Sequence, residues 1–95
     1  QTISIPEKVR AGLDVSIRPN PVSERAQSVF DLPEAGPVQW ALLDLYGREV
    51  RNGKTGILPA GGHNLELDFS GLPAGVYGFR LAAGGQFVWR KVVKR

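Results

Sequence analysis

Cysteine and methionine are absent from this 95-residue chain, and histidine occurs once. Without cysteine there is no disulfide and no thiolate metal site, and the redox compartment is left open, an extracellular one included. The single histidine, His63, follows Gly61-Gly62. A metal centre or a general base needs convergent partners. None stands at ligand spacing from His63, which reads as a solvated loop residue. Ser23, Ser28 and Ser70 lack the G-x-S-x-G surroundings of a nucleophile elbow. Asp14, Asp31, Asp44 and Asp68 are scattered singly rather than gathered in a calcium loop, and Glu66 with Asp68 is the polar face of a strand. The glycines between Gly53 and Gly62 do not join a strand to a helix, so they form no phosphate cradle. The chain thus offers no active site and no cofactor or small-molecule site.

Long apolar runs are missing too, as is a charged n-region followed by an apolar h-region. The chain begins at Gln1, so it is expected to be a processed or excised piece of a longer protein whose export signal would lie upstream. Charge of one sign is in modest excess, +3, with Arg90, Lys91, Lys94 and Arg95 contributing much of it. No basic stripe interleaved with aromatics accompanies them, which points away from nucleic acid. No helical period with caps occurs anywhere.

What remains is β pattern and turn chemistry. Leu13, Val15 and Ile17 alternate with polar residues, and Arg18-Pro19-Asn20-Pro21-Val22 ends that strand because proline supplies no ladder N–H. Residues 25–32 set Ala26, Ser28 and Phe30 against Gln27, Val29 and Asp31. A third strand carries Val38, Trp40 and Leu42 on one face and is expected to run on to a tight turn at Gly47, with residues 48–51 pairing back. Residues 52–62 hold four glycines and read as a long exposed connection anchored by Ile57 and Leu58. Leu65, Leu67 and Phe69 make a fifth strand. Residues 87–94 form the last one, with Phe87 and Trp89 on one face and Val88 and Val92 on the other.

Between the last two lies the organising stretch, Gly71-Leu72-Pro73-Ala74-Gly75-Val76-Tyr77-Gly78-Phe79-Arg80-Leu81. Pro73 pre-sets φ for a type II turn and Gly75 is expected to take its positive φ. Tyr77, Phe79 and Leu81 then share one face, so a slip of one residue would put both rings into water. A Gly-containing hairpin at 82–85 follows. Short strands between Gly/Pro turns specify an all-β fold, an immunoglobulin-like Greek-key β-sandwich of about seven antiparallel strands. The Cys…Trp…Cys spacing of antibody domains is absent. The domain is expected over residues 13–95, with 1–12 as a linker or short edge strand at Thr2-Ile3-Ser4-Ile5, and as a monomer in isolation.

Four segments in order carry a family resemblance: Arg18-Pro19-Asn20-Pro21-Val22, Leu43-Asp44-Leu45-Tyr46-Gly47-Arg48-Glu49-Val50, Ser70-Gly71-Leu72-Pro73-Ala74-Gly75-Val76-Tyr77, and the terminal Lys91-Val92-Val93-Lys94-Arg95. From about Val15 on, the chain resembles the C-terminal sorting domains (type A) of type IX secretion cargo proteins. The resemblance implies a non-catalytic domain that directs its parent from the periplasm across the outer membrane to the cell surface or medium, with cleavage and surface anchoring. Its implied partners are the outer-membrane translocon and an associated signal-processing protein. For recognition it implies Gly71, Leu72, Pro73, Gly75 and Tyr77 in the turn and Lys91, Val92, Val93, Lys94 and Arg95 at the terminus. Gly78 stands where the family favours a bulky residue.

An exposed last strand with a basic end suits strand addition to a receptor, and equally suits protection of an edge against aggregation. Two further readings stand beside sorting: an accessory carbohydrate-binding module of a secreted hydrolase, using Trp89 with Tyr46, and a structural immunoglobulin-like spacer. The related sandwich of flagellar hook-capping proteins has a longer polar insertion before its P-A-G-x-Y turn, whereas here Asp68-Phe69-Ser70-Gly71-Leu72 runs straight into Pro73.

Overall fold

A computed structural model of the chain describes residues 13–95, so the linker or edge strand expected over 1–12 lies outside the described residues. Seven strands form two sheets: β1 (Asp14–Arg18), β2 (Arg25–Leu32), β3 (Val38–Leu43), β4 (Glu49–Lys54), β5 (Gly61–Asp68), β6 (Gly75–Ala83) and β7 (Gln86–Lys94). One sheet has the order β1-β2-β5, the other β4-β3-β6-β7, and every pairing of these strands is antiparallel. The chain changes sheet between β2 and β3, between β4 and β5, and between β5 and β6, which is an immunoglobulin-like Greek key whose fourth strand pairs with the third.

The core follows from alternation. In β2 every second residue is buried from Ala26 to Leu32, and its partners Val15 and Ile17 on β1 and Leu67 on β5 point the same way. Facing them are Val38, Leu42, Tyr77, Phe79, Leu81 and Val92 of the second sheet. Each such side chain contributes roughly 1.5–3 kcal/mol by leaving water. The one buried polar residue among those described, Ser28, donates its hydroxyl to the Leu65 carbonyl at 3.1 Å, so its burial leaves no donor unmet. The β6–β7 hairpin closes on Gly84 and Gly85 with φ of 59° and 81°, both positive as a type I′ turn requires.

Three expectations are corrected. The fourth strand does not stop at Arg51 but continues through Asn52, Gly53 and Lys54, leaving a connection of residues 55–60 before β5 begins at Gly61. Gly53 belongs in that strand because the Trp40 ring lies against it: a Cβ there would meet the indole at 2.8–2.9 Å. Trp40 accordingly sits half-buried at the margin of the core. Of the two expected anchors, Leu58 bridges Gly36 and packs on the core, whereas Ile57 is 78% exposed. The third strand ends at Leu43, because the Asp44 side chain captures the backbone amides that would otherwise continue the ladder.

Candidate functional site

The Gly71–Tyr77 motif is built as a corner. The turn that carries a positive φ is Phe69–Leu72, closed by Leu72 N donating to Phe69 O at 3.1 Å with Gly71 at φ 79°. This corrects the expected type II turn at Pro73 and Gly75; Gly75 does take the expected positive φ, but as 153° at the start of β6, a region open essentially to glycine alone. Asp68 braces the turn, its carboxylate accepting from the Ser70 hydroxyl at 2.6 Å and the Ser70 amide at 2.9 Å. These hydrogen bonds, the hydroxyl first, hold the Asp68 carboxyl below its ordinary pKa despite opposing desolvation.

Beyond the turn, the Tyr77 ring is buried edge-on against Phe69, centroids 5.9 Å apart, and its hydroxyl donates back to Pro73 O at 2.6 Å. Such a tyrosine corner pins the entry to the sixth strand of an immunoglobulin-like sandwich. Tyr77 therefore offers a partner no side chain, while Gly71 and Pro73 are exposed and Leu72 packs against the core.

The second motif is the β3–β4 hairpin tip. Asp44 Oδ1 accepts from the amides of Tyr46 (2.8 Å) and Arg48 (3.0 Å), and Oδ2 from Arg48 Nε (2.9 Å). Desolvation pushes the Asp44 carboxyl pKa up, but the Arg48 and Tyr46 amides together with the Arg48 guanidinium outweigh it, and the net direction is down. Gly47 takes φ 80° and Arg48 stacks over the Tyr46 ring at 5.4 Å. The result is a rigid tip presenting Leu45 at 75% and Tyr46 at 84% exposure.

The terminal strand adds the third part. On β7, Phe87, Trp89, Lys91 and Val93 point outward, opposite Ala82, Arg80, Gly78 and Val76 on β6, and Val92 points into the core. Trp89, 46% exposed, lies over Gly78: a Cβ at that position would meet the indole at 3.3 Å. Gly78 thus faces outward, and the neighbouring tryptophan covers the place of the bulky residue. Arg80 reaches the Trp89 ring at 5.8 Å and pairs with Glu49 at 3.0 Å. Leu45 and Val76 border two shallow clefts, one of about 350 Å³ running to Trp89 and Lys91, the other of about 250 Å³ running to Tyr46 and Pro73.

The edge of β7 is not simply open. Asn20 Nδ2 donates to Lys91 O and Asn20 Oδ1 accepts from Val93 N, both at 3.0 Å. Val22 N donates to Val93 O at 2.8 Å, and Arg95 N donates to Val22 O at 2.9 Å. Free strand addition along the basic end, one of the two expectations for it, is corrected by this internal pairing. Further along, Arg90 reaches the Val15 carbonyl at 2.9 Å and the Asp14 carboxylate, tying β7 to the first strand of the other sheet. In the sequence Asn20 stands out only within the Arg18–Val22 segment, as part of a strand stop and of the first family motif, and its place between two prolines is the one local signal of its role.

Among the described residues no group of three or more His, Cys, Asp or Glu gathers to hold a metal, and no helix is long and apolar enough to cross a membrane. His63 rests on the Pro59 carbonyl at 2.7 Å and beside Phe30. No curated protein matches the chain. The family of secretion system C-terminal sorting domains does, over residues 16–95. Such domains are generally non-catalytic, interact with the type IX secretion machinery, and imply export to the cell surface or extracellular space. The chain belongs to the secretion system C-terminal sorting domain family, and its function is that of a C-terminal sorting signal for type IX secretion.

Proposed function

We propose that the signal is read on the outer face of the four-stranded sheet, where the end of the terminal strand meets the β3–β4 tip. The observation that carries this is contiguity: Lys91 and Val93 point outward in one row with Trp89, and one cleft joins Trp89 and Lys91 to Leu45 and Val76. Apolar residues form the middle of this face, and Arg48, Lys91 and Arg95 give it cations. A partner suited to it has an apolar insert flanked by carboxylates.

In this reading Lys91, Val93 and Arg95 contact the outer-membrane translocon from that face, and Lys94, which shares the Val92 side of the strand, does so only from its very end. Gly71, Leu72, Pro73 and Gly75 shape the adjoining turn, and Tyr77 and Val92 act from the core by holding those segments in place. The whole of 13–95 is the domain, a monomer by itself, with 1–12 as the connection to the cargo. It passes through the periplasm folded, takes part in no catalysis, binds no nucleic acid or small-molecule substrate, and leaves the cargo by cleavage through an associated signal-processing protein as the cargo is anchored. The carbohydrate-binding and spacer alternatives gain no support from the family match.

The test fuses the chain behind a periplasmic reporter in a bacterium with the type IX machinery. Deletion of residues 91–95 is expected to trap the reporter in the periplasm, and W89A with Y46A to reduce surface delivery without unfolding the domain. Normal delivery of the truncated fusion would overturn the reading.

A further inference from the structure

We propose that Asn20 is a positioning residue of the sorting signal: it holds residues 91–95 in the single extended register in which the secretion machinery reads them. This rests on the proposal that the chain end belongs to the recognised face.

β7 has two backbone edges, of which one pairs with β6 along the whole strand. On the other, the amide of Asn20 presents one donor and one acceptor to Lys91 O and Val93 N, both at 3.0 Å, as the peptide group of a neighbouring strand would. Val22 continues the pattern with its own backbone, to Val93 O at 2.8 Å and from Arg95 N at 2.9 Å, and its fully buried side chain fixes the segment to the core. Four hydrogen bonds therefore fall on alternate residues of the chain end: 91, 93 and 95.

A partner cannot pair with this edge unless residues 20–22 leave it, so recognition passes through the side chains that project outward, Lys91 and Val93 with Trp89 beside them. The ordering of the terminal residues, which would oppose binding if the end were loose, is already accomplished in folding. An amide suits this position because it gives donor and acceptor on two separate atoms of one short side chain, where an ionised aspartate, an acceptor only, would leave the Lys91 carbonyl unmet. If loss of Asn20 leaves the end correctly held a tenth of the time, apparent affinity falls about tenfold.

The test compares N20A with S28A, which removes a hydrogen bond of similar kind in β2, far from the terminal edge. Hydrogen exchange is read at the Val93 and Arg95 amides of the chain, thermal unfolding reports global stability, and surface delivery is measured for the same variants in the reporter fusion. N20A is expected to speed exchange at Val93 by on the order of tenfold. Its delivery is expected to fall by a similar factor, while S28A, with comparable global destabilisation, delivers normally. N20D, which keeps the acceptor and loses the donor, is expected to lie between, and replaces N20A if that variant does not fold. Fast Val93 exchange with undiminished delivery, or equal delivery loss in S28A, would overturn the positioning role. Deletion of residues 91–95 separates the two claims: if that truncation still delivers, the reading of the chain end itself has failed.

Discussion

Tyr77 donates its hydroxyl to the carbonyl of Pro73, 2.6 Å away and four residues earlier. The bond joins the two most recognisable residues of the turn motif and gives their spacing a structural cause. With Tyr77 on the core face and Pro73 at the surface, the hydroxyl can reach back only if the chain turns sharply between them, which Gly75 permits. The motif is thus first an instruction for folding, and the surface it helps display is its consequence.

Replacing Tyr77 by phenylalanine should remove that bond alone. The expected cost is about 1 kcal/mol, since Pro73 is exposed and its carbonyl can turn to water. Tyr77→Ala also loses the packing against Phe69 and should cost on the order of 3–5 kcal/mol. Urea denaturation of both variants checks the difference; equal losses would show that the hydroxyl, not the ring, dominates.

Gly53 and Gly78 both lie against tryptophans, and substitution should separate them. Gly53→Ala drives a methyl to 2.8–2.9 Å from the inward-facing Trp40 ring and should destabilise by about 1–3 kcal/mol. Gly78→Ala meets Trp89 at 3.3 Å, and that ring is partly exposed and can shift outward, so stability should change by less than about 0.5 kcal/mol. Chemical denaturation measures both, and tryptophan fluorescence should report the Trp89 shift.

Asp44 should make the hairpin tip sensitive to acid. Its folded-state pKa lies below the ordinary value, so its contribution is fully present above the ordinary carboxylate range and is lost as pH falls through the depressed folded value. The difference in thermal midpoint between the native chain and D44N should accordingly be largest near neutral pH and shrink in acid. A difference independent of pH would mean that the backbone amides of Tyr46 and Arg48 do not need the charge.

Trp89→Ala should be mild for folding and severe for sorting. The ring covers Gly78 but stays 46% exposed, so the stability cost should be about 1 kcal/mol, measured by denaturation. Delivery of a reporter fusion should fall several-fold if the outer face is read. Unaltered delivery would move the recognised surface away from β7.

Much of this was legible in the sequence because alternation fixes which face of a strand is wet. Ala26, Ser28 and Phe30 could be set apart from Gln27, Val29 and Asp31, and the row Tyr77, Phe79, Leu81 assigned to one half-buried face, without any partner in view, and the split of Phe87 and Trp89 from Val88 and Val92 has the same origin. Gly47 was visible as a turn residue, since a glycine able to take φ 80° acts within a few positions, whereas Asp44 read as part of the third strand until the structure set its carboxylate on the Tyr46 and Arg48 amides. The family, too, was readable from ordered local motifs.

Alternation says nothing, however, about which strand edges come together. Gly53 looked like a loop residue until the sheet order placed it opposite Trp40. Asn20 looked like part of a strand stop until the sandwich closed and brought it to Val93, 73 residues on. The strands, their wet and dry faces, most of the turns and the family were written in the order of residues, because each depends on neighbours along the chain. How the terminal strand is held, and what surface it shows, depended on the packing of both sheets, because hydrogen bonds between distant edges exist only once those edges have met.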